Sequence, residues 1–313
     1  MQPPEPDQEK LAPLRILSLD GGGAKGFYTL GVLRELEAAV GPLHQFFPLM
    51  FGTSTGAIIA ALLASGRDVQ ATLELYKAHV PAIMKQSAPA QRTAALRRLC
   101  HEVFGEIKFS DLKTRIGIVA TQWDLEKPMI FKTSVEQAHG RKDTFIPGFG
   151  CTLAEAVEAS CSAYPFFERR KLQIRDGEWV ELADGGYCAN NPTLYAIADA
   201  VRALKQEPTN LRVVSLGVGT YPEPRYGWYQ RMIRKWPSVR LLQKTLNVNT
   251  ASMDQLRVLL FRDVPTVRIC ETFSTPEMAT DLMEHHLTKL DLLYQRGRQS
   301  YAQCEDDLRR LFH

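Results

Sequence analysis

The sequence predicts an α/β fold with a mostly parallel central sheet and a C-terminal helical extension. Two segments, at residues 14–40 and 46–64, each begin with an apolar run, pass through a glycine-rich turn and end in a helical pattern, as βα units do. A third predicted strand, 179–183, ends in an Asp-Gly-Gly sequence and precedes another helix. In a parallel sheet, turns of this kind open at the same carboxyl edge, where α/β proteins form their sites.

The composition is that of a large globular protein. The chain has 313 residues, 45% of them hydrophobic, which is enough for a sizeable core. Its formal net charge of +3 is too balanced to favour polymeric nucleic acid as the main ligand. None of the six cysteines forms a Cys-x-x-Cys pair and the N-terminus has no signal-peptide pattern, so we expect reduced thiols in a cytoplasmic protein. No apolar run reaches the roughly 18 residues that span a bilayer.

The first strand, Leu14 to Leu19, leads into a glycine loop and then a helix with leucines at helical spacing. The loop glycines fit the dinucleotide-binding pattern G-x-G-x-x-G, but that site needs an acidic residue about 20 positions further on, where 45–50 contain none. A run of glycines also lets backbone N–H groups converge on one point, as an oxyanion hole requires. The oxyanion hole is the favoured use of the loop. The loop is Asp20-Gly21-Gly22-Gly23-Ala24-Lys25-Gly26.

Ser54 lies in a G-x-S-x-G sequence between a short apolar strand and the predicted helix Ala57 to Ala64. A serine on a sharp strand-to-helix turn needs neighbours without a Cβ, which Gly52 and Gly56 provide. The helix N-terminus would favour negative charge developing near the hydroxyl. The pattern therefore predicts a nucleophile, with an ordinary glycine-bounded turn as the alternative.

Asp184 ends the predicted strand 179–183 and is followed by Gly185 and Gly186. A carboxylate there is able to take the Ser54 proton, whereas the alternative is a common Asp-Gly turn. A Ser-His-Asp triad would need a histidine after the acid in chain order. Only three histidines qualify, and we expect two of them to be ordinary residues of a helix over 280–291. They are His285, His286 and His313.

The remaining elements are predicted more coarsely. Helices are expected at 69–80 and 92–104 with Pro81 and Pro89 between them, strands at 116–123 and 129–132, and a helix from a capping box at Thr152 to about Ser162. From about Leu241 the tail is predicted to be helical, and it either covers the sheet edge or pairs with a second copy of the chain.

Residues 221–244 interleave aromatic and basic side chains. Such a segment suits a membrane surface or the bases and phosphates of a cyclic dinucleotide, and the alternative is a solvated basic helix. The candidate contacts are Arg225, Tyr226, Arg231, Arg234 and Lys235.

The ordered motifs D-G-G-G-x-K-G, G-x-S-x-G and D-G-G resemble those of the patatin-like phospholipases over residues 14–220. The resemblance implies a three-layer α/β/α sandwich and a dyad of Ser54 as nucleophile with Asp184 as general base. It also implies an oxyanion hole from the N–H groups of Gly21, Gly22 and Gly23. It implies calcium-independent hydrolysis of phospholipid acyl esters without a metal or organic cofactor. A nucleotide-binding module with an inactive hydrolase fold is the rival from another class.

The runs at 159–167 and 184–192 resemble, in particular, the bacterial CD-NTase-associated phospholipases of anti-phage defence. That likeness implies activation by a cyclic dinucleotide, such as cGAMP, from a partner synthase, and degradation of the inner membrane by a peripherally bound enzyme. The alternative is a constitutive lipid acyl hydrolase without nucleotide control. We predict a disordered tail over 1–12 and a phospholipase domain over 13–220. The aromatic/basic segment and the C-terminal helices, over 221–313, are predicted to pack on this domain. The sequence leaves open whether the protein forms a homo-oligomer.

Overall fold

The computed structural model describes residues 12–140, 142–175, 177–224 and 237–313, in which one mixed sheet lies between two layers of helices. The strands are β1 (Leu14–Leu19), β2 (Leu49–Thr53), β3 (Arg115–Gln122), β4 (Lys127–Lys132), β5 (Arg170–Arg175), β6 (Glu178–Asp184), β7 (Leu211–Leu216) and β8 (Thr266–Ile269). The helices are α1 (Gly26–Val40), α2 (Leu43–Phe46), α3 (Thr55–Ala64), α4 (Val69–Met84), α5 (Pro89–Phe104), α6 (Leu153–Ser160), α7 (Gly186–Ala189), α8 (Thr193–Ala198, continued by a π turn over Asp199–Ala203), α9 (Pro237–Leu260) and α10 (Leu287–Phe312).

Five neighbouring strands, in the order β3-β2-β1-β7-β8, are parallel. Three antiparallel strands complete the sheet: β4 and β6 both pair with β3, and β5 pairs with β6. Strand β2 pairs with residues 115–119 of β3 and β6 pairs with residues 120–122, so β2 and β6 share one edge of β3. The predicted α/β class with a mostly parallel sheet is confirmed.

The core has two parts because successive strand residues face opposite sides of the sheet. Leu17 and Met50 belong to the larger cluster, which α1, α3, α4, α5, α6 and α10 cover. Ile16 and Phe51 belong to the smaller cluster, which α7, α8 and α9 cover. The three-layer arrangement is therefore present. Among the described residues, no helix is both long and apolar enough to cross a membrane.

Several predicted elements differ in the structure. Pro81 does not lie between the helices but inside α4, which continues for three more residues to Met84. Pro89 is the first residue of α5, a position where proline is well tolerated. The expected helix over 280–291 begins only at Leu287, because the Glu284 carboxylate accepts the backbone N–H groups of the next two residues in a turn before it. The sequence analysis missed β5, which is rich in charged residues, and β8, which has four residues.

Helices α1 and α10 pack with their backbones in close contact through two glycines. A Cβ on Gly31 would lie 2.0 Å from the backbone oxygen of Tyr294, and a Cβ on Gly297 would lie 2.0 Å from the backbone oxygen of Tyr28. No side chain fits at either position without moving one helix away from the other. This contact fastens the C-terminal helix to the helix that follows the glycine loop.

We expect Gly297→Ala to lower the free energy of unfolding by about 1–3 kcal/mol, because the added methyl group overpacks this contact. Alanine normally stabilises a helix relative to glycine, so the predicted sign is the reverse of the propensity effect. The measurement is urea unfolding followed by circular dichroism. The control Gln295→Ala, at an exposed position of α10, should change stability by less than about 0.5 kcal/mol, and an equal or higher stability of Gly297→Ala would contradict the prediction.

Candidate active site

Ser54 and Asp184 are brought together where β2 and β6 end against β3. The last residue of β2, Thr53, pairs with Val119, and the last residue of β6, Asp184, pairs with the next residue, Ala120. The two strands run in opposite directions along this edge, so their carboxyl ends converge. The Ser54 side chain, one residue beyond β2, lies close enough to the Asp184 carboxyl group to lower its pKa.

Ser54 has a strained backbone that its neighbours hold in place. Its φ is 54° and its ψ is −121°, a backbone conformation that residues other than glycine rarely adopt. The Ser54 N–H donates to the Ser160 hydroxyl at 2.9 Å, and this hydroxyl donates in turn to the backbone oxygen of Val119 at 2.6 Å. A Cβ on Gly52 would lie 2.4 Å from the backbone oxygen of Gly56, and a Cβ on Gly56 would lie 2.2 Å from that of Leu19. The predicted need for both glycines therefore has a direct steric cause.

The Asp184 carboxyl group is buried, with 2% of the residue exposed. Burial raises its pKa to about 6, while the Ser54 side chain and the Gly186 N–H, which donates at 2.7 Å, favour the charged form. The Gly185 N–H donates to the backbone oxygen of Ser160 at 3.3 Å. The carboxylate is therefore a stronger base than an exposed aspartate and is still ionised at neutral pH.

The glycine loop follows β1 and approaches Ser54. The Gly21 N–H donates to the backbone oxygen of Asn190 at 2.9 Å, so it is not free for an oxyanion, contrary to the sequence-based expectation. Within the described ranges, the N–H groups of Gly22 and Gly23 have no acceptor, and both glycines line the cavity that Ser54 enters. Two of the three expected donors thus remain available.

An ion pair behind the loop holds it in place. The Asp20 carboxylate accepts two hydrogen bonds from the Arg268 guanidinium, at 3.0 and 2.6 Å. Burial alone would lower the pKa of Arg268, but the attraction of Asp20 outweighs it and keeps the guanidinium charged. Lys25 is also buried; burial lowers its pKa, against the attraction of nearby groups that include Asp20. Gly26 is the first residue of α1.

A cavity of about 60 Å³ opens from Ser54 between α3, α4 and α5. Its polar end holds Ser54, Asp184 and Asn190, whose buried Oδ1 has no hydrogen-bond partner among the described residues. Cys161 lies beside Ser54, and burial raises the pKa of its thiol, so it is uncharged. The rest of the wall is almost wholly apolar and includes Ile58, Val80, Ile83, Met84, Leu96, Leu99, Phe166, Phe167, Leu246 and Leu282.

The histidines take no part in this constellation. Among the described residues, no histidine hydrogen-bonds to Ser54 or Asp184, and the His285 ring lies 3.2 Å through Nδ1 from the backbone oxygen of Met283 and stacks on His286. Ligand atoms of Glu284, His285 and His286 lie within 4.8 Å of one another, close enough to hold a metal ion. None of these three residues lines the cavity.

The five predicted activator or membrane contacts lie outside the described residues. They are Arg225, Tyr226, Arg231, Arg234 and Lys235.

Sequence reasoning missed three supporting residues. Ser160 stands within a helix pattern and had no distinguishing signal. Asn190 has no separate role in the predictions from the sequence, although its side chain donates to the backbone oxygen of Gly21 at 3.2 Å and to the Thr250 hydroxyl at 2.7 Å. Arg268 is separated from Asp20 by 248 positions, and no local pattern indicates their pairing.

Comparison with known proteins agrees with this geometry. The model of the patatin-like phospholipase family matches residues 17–197. A cUMP-AMP-activated phospholipase of Escherichia coli is 60% identical over 296 residues, which cover 94% of this chain and 92% of the relative. A cGAMP-activated phospholipase of Escherichia coli strain TW11681 is 28% identical over 232 residues, covering 67% and 63%.

The crystal structure of VipD from Legionella pneumophila has a similar fold, with a TM-score of 0.50, 15% identity, and coverage of 94% of this chain and 67% of that one. The family model and the 60% identical relative establish the family. This chain belongs to the patatin-like phospholipases.

Proposed function

We propose that this protein hydrolyses acyl esters of phospholipids with Ser54 as nucleophile and Asp184 as general base. The convergence of β2 and β6 along β3 carries the proposal, because it joins a hydroxyl to a buried carboxylate at the mouth of an apolar cavity. The family membership and the names of the two Escherichia coli relatives support the same reaction.

In the first step, Asp184 takes the proton of Ser54 while Ser54 Oγ attacks the ester carbonyl carbon. The negative oxygen of the tetrahedral intermediate is placed to accept the N–H groups of Gly22 and Gly23, and each such donor typically lowers the barrier by about 3 kcal/mol. The carbon–oxygen bond to the glycerol side then breaks, and the leaving alkoxide takes the proton from Asp184. Water attacks the acyl-enzyme with Asp184 again as base, which releases the fatty acid and restores Ser54.

The apolar cavity suits the fatty-acyl chain. Among the described residues that form its walls, Asp184 at the reacting end is the one charged side chain. Each methylene group moved from water into such a cavity contributes about 0.8 kcal/mol to binding. The polar headgroup then remains on the solvent side of the ester.

We further propose that a cyclic dinucleotide activates the enzyme, with cUMP-AMP favoured over the cGAMP that the sequence analysis suggested. The support is the 60% identity to a cUMP-AMP-activated phospholipase. The activator would come from a partner CD-NTase in anti-phage defence, and the substrate would be the inner membrane, with which the active enzyme associates peripherally. Catalysis on this view needs no metal or organic cofactor, and a homo-oligomer stays a proposal.

The basic and aromatic residues predicted to contact the activator directly precede α9 in the chain. Leu246 of α9 lines the cavity, and the Asn249 side chain of the same helix accepts the Asn190 N–H at 2.8 Å. A ligand that shifts this helix would therefore change both the cavity wall and the residue that holds Gly21. This connection supports control at the active site by the segment before α9.

Ser54→Ala should reduce fatty-acid release from phospholipid vesicles with cUMP-AMP by about 10³-fold or more, because the attacking oxygen is lost. Release is measured by mass spectrometry with cUMP-AMP, with cGAMP and without nucleotide. Ser65→Ala, at the far end of α3, is the matched control and should keep wild-type activity. Undiminished release by pure Ser54→Ala would exclude this nucleophile, and equal release by the wild type without nucleotide would support the constitutive alternative.

The pH dependence follows from Asp184. Only the ionised carboxylate accepts a proton, so kcat/KM should fall about tenfold per pH unit below pH 6 and be level above it. The test is a pH profile of kcat/KM on a soluble ester, and a profile that is flat between pH 4 and 8 would contradict the assignment.

The raised pKa of Asp184 also makes the stability of the protein depend on pH. Burial raises the folded-state pKa of Asp184 above its unfolded value, so its protonated form favours folding at low pH and this contribution is lost as the pH rises through about 6. Asp184→Asn should therefore be inactive yet more stable than the wild type at pH 8, by about 2 kcal/mol, with the gap closing towards pH 4. Thermal unfolding at both pH values measures the difference.

Arg268→Gln should lower stability by about 3–5 kcal/mol, because it leaves the Asp20 carboxylate buried and unpaired behind the glycine loop. The double variant Asp20→Asn/Arg268→Gln removes both charges and should recover most of that loss. Urea unfolding measures stability for the single and double variants. A double variant no more stable than Arg268→Gln would show that the ion pair does not hold the loop.

A further inference from the structure

A second apolar cavity, of about 20 Å³, lies behind the first. Three residues, Ile58, Val80 and Leu99, line both cavities and therefore stand between them. The remaining wall of this far cavity consists of Leu62, Leu75, Tyr76, Cys100, Val103 and Phe104. The near cavity, at Ser54, and the far cavity are thus separated by one set of shared side chains.

The far cavity is suited to hydrocarbon alone. In the part of the chain that the structure describes, no charged residue lines it and one hydroxyl does. That hydroxyl, on Tyr76, is already hydrogen-bonded to Thr55 through the backbone oxygen and the side chain, each at 2.9 Å. Burial raises the pKa of the Cys100 thiol, which is therefore uncharged. A water molecule there would lack the polar partners that buried water needs. An apolar void lowers stability, so its position next to the near cavity has a functional interpretation.

Helix α4 contains a proline beside one of the three shared residues. Pro81 lies next to Val80 and has no N–H, so the backbone oxygen of Lys77 lacks its usual helical donor. At about 15 Å³ for a water-sized group, the near cavity admits about four such groups and the far cavity about one. A long acyl chain must therefore displace the shared side chains, and the weakened turn of α4 lowers the resistance to that movement.

We infer that the far cavity takes the terminal methylene groups of long acyl chains, and that Ile58, Val80 and Leu99 determine the acyl length that the enzyme prefers. This inference rests on the proposed function and adds a determinant of specificity to it. Short acyl chains end in the near cavity, whereas long chains pass the three shared residues and gain further apolar contact.

The first test compares esters of different length. Val103→Phe fills the far cavity, and the ratio of kcat/KM on p-nitrophenyl hexadecanoate to that on the hexanoate should fall about fourfold or more, since the far cavity holds about one methylene group and each methylene group denied contact is worth about fourfold. Val80→Ala widens the passage and should raise the ratio. All assays contain cUMP-AMP and use the full chain.

Ala95→Val is the matched control, because it adds bulk to α5 at a partly buried position that lines neither cavity. Its ratio should stay within about twofold of the wild type, less than the effect of one methylene group. A Val103→Phe protein with wild-type circular dichroism and a wild-type ratio would overturn the inference.

A second test uses the unmodified protein, so it holds even if Val103→Phe fails to fold. An alkyl fluorophosphonate with a diazirine at the end of a sixteen-carbon chain is added with cUMP-AMP; Ser54 Oγ bonds to phosphorus and fluoride leaves. Illumination should then crosslink the chain end to α4 or α5 at Leu75, Val103 or Phe104, located by peptide mass spectrometry. Labelled Ser54 with crosslinks elsewhere overturns this inference alone, whereas a wild-type protein that neither labels nor hydrolyses any ester overturns the proposed function and this inference with it.

Discussion

The meeting of two strands on one edge of β3 is the constraint on which the site depends. Strand β2 ends opposite Val119 and β6 arrives from the other direction and ends opposite Ala120, so that Ser54 and Asp184 are adjacent. The backbone hydrogen bonds of the sheet therefore set the position of both side chains. No flexible loop is needed to bring them together, and a rigid placement of this kind is what a two-residue catalytic site requires.

Both groups are held in states that are unfavourable by themselves. Ser54 has a positive φ, and Asp184 is a carboxyl group buried away from water. The surrounding structure stabilises them: Ser160 accepts the Ser54 N–H, and the Gly186 N–H donates to Asp184. The buried ion pair of Asp20 and Arg268 does the same for the glycine loop. Strain and burial at one point are thus supported by contacts from distant parts of the chain, as at many functional sites.

The C-terminal third of the chain is joined to the same sheet and the same site. Strand β8 pairs with β7, and α10 packs on α1 through Gly31 and Gly297. Helix α9 places Leu246 in the cavity wall and bonds to Asn190. The predicted domain boundary at residue 220 remains a prediction, but residues on both sides of it form the wall around Ser54. This arrangement gives a segment outside the region of the three motifs a physical route to the reacting groups.

The amino-acid sequence alone predicts the features that local sterics and the hydrophobic pattern decide. It located β1, α1, β2 and α3, and it required glycine at 52 and 56, because two backbones approach there whatever the rest of the chain does. Its motif order also indicated the family. The packing of the whole chain was needed to show that Asp184 reaches Ser54 on an antiparallel strand, that the Asn190 backbone oxygen accepts the Gly21 N–H, and that Arg268 pairs with Asp20. Those contacts join residues that are far apart along the chain. Their hydrogen bonds depend on how whole helices and strands pack, which no local sequence pattern indicates.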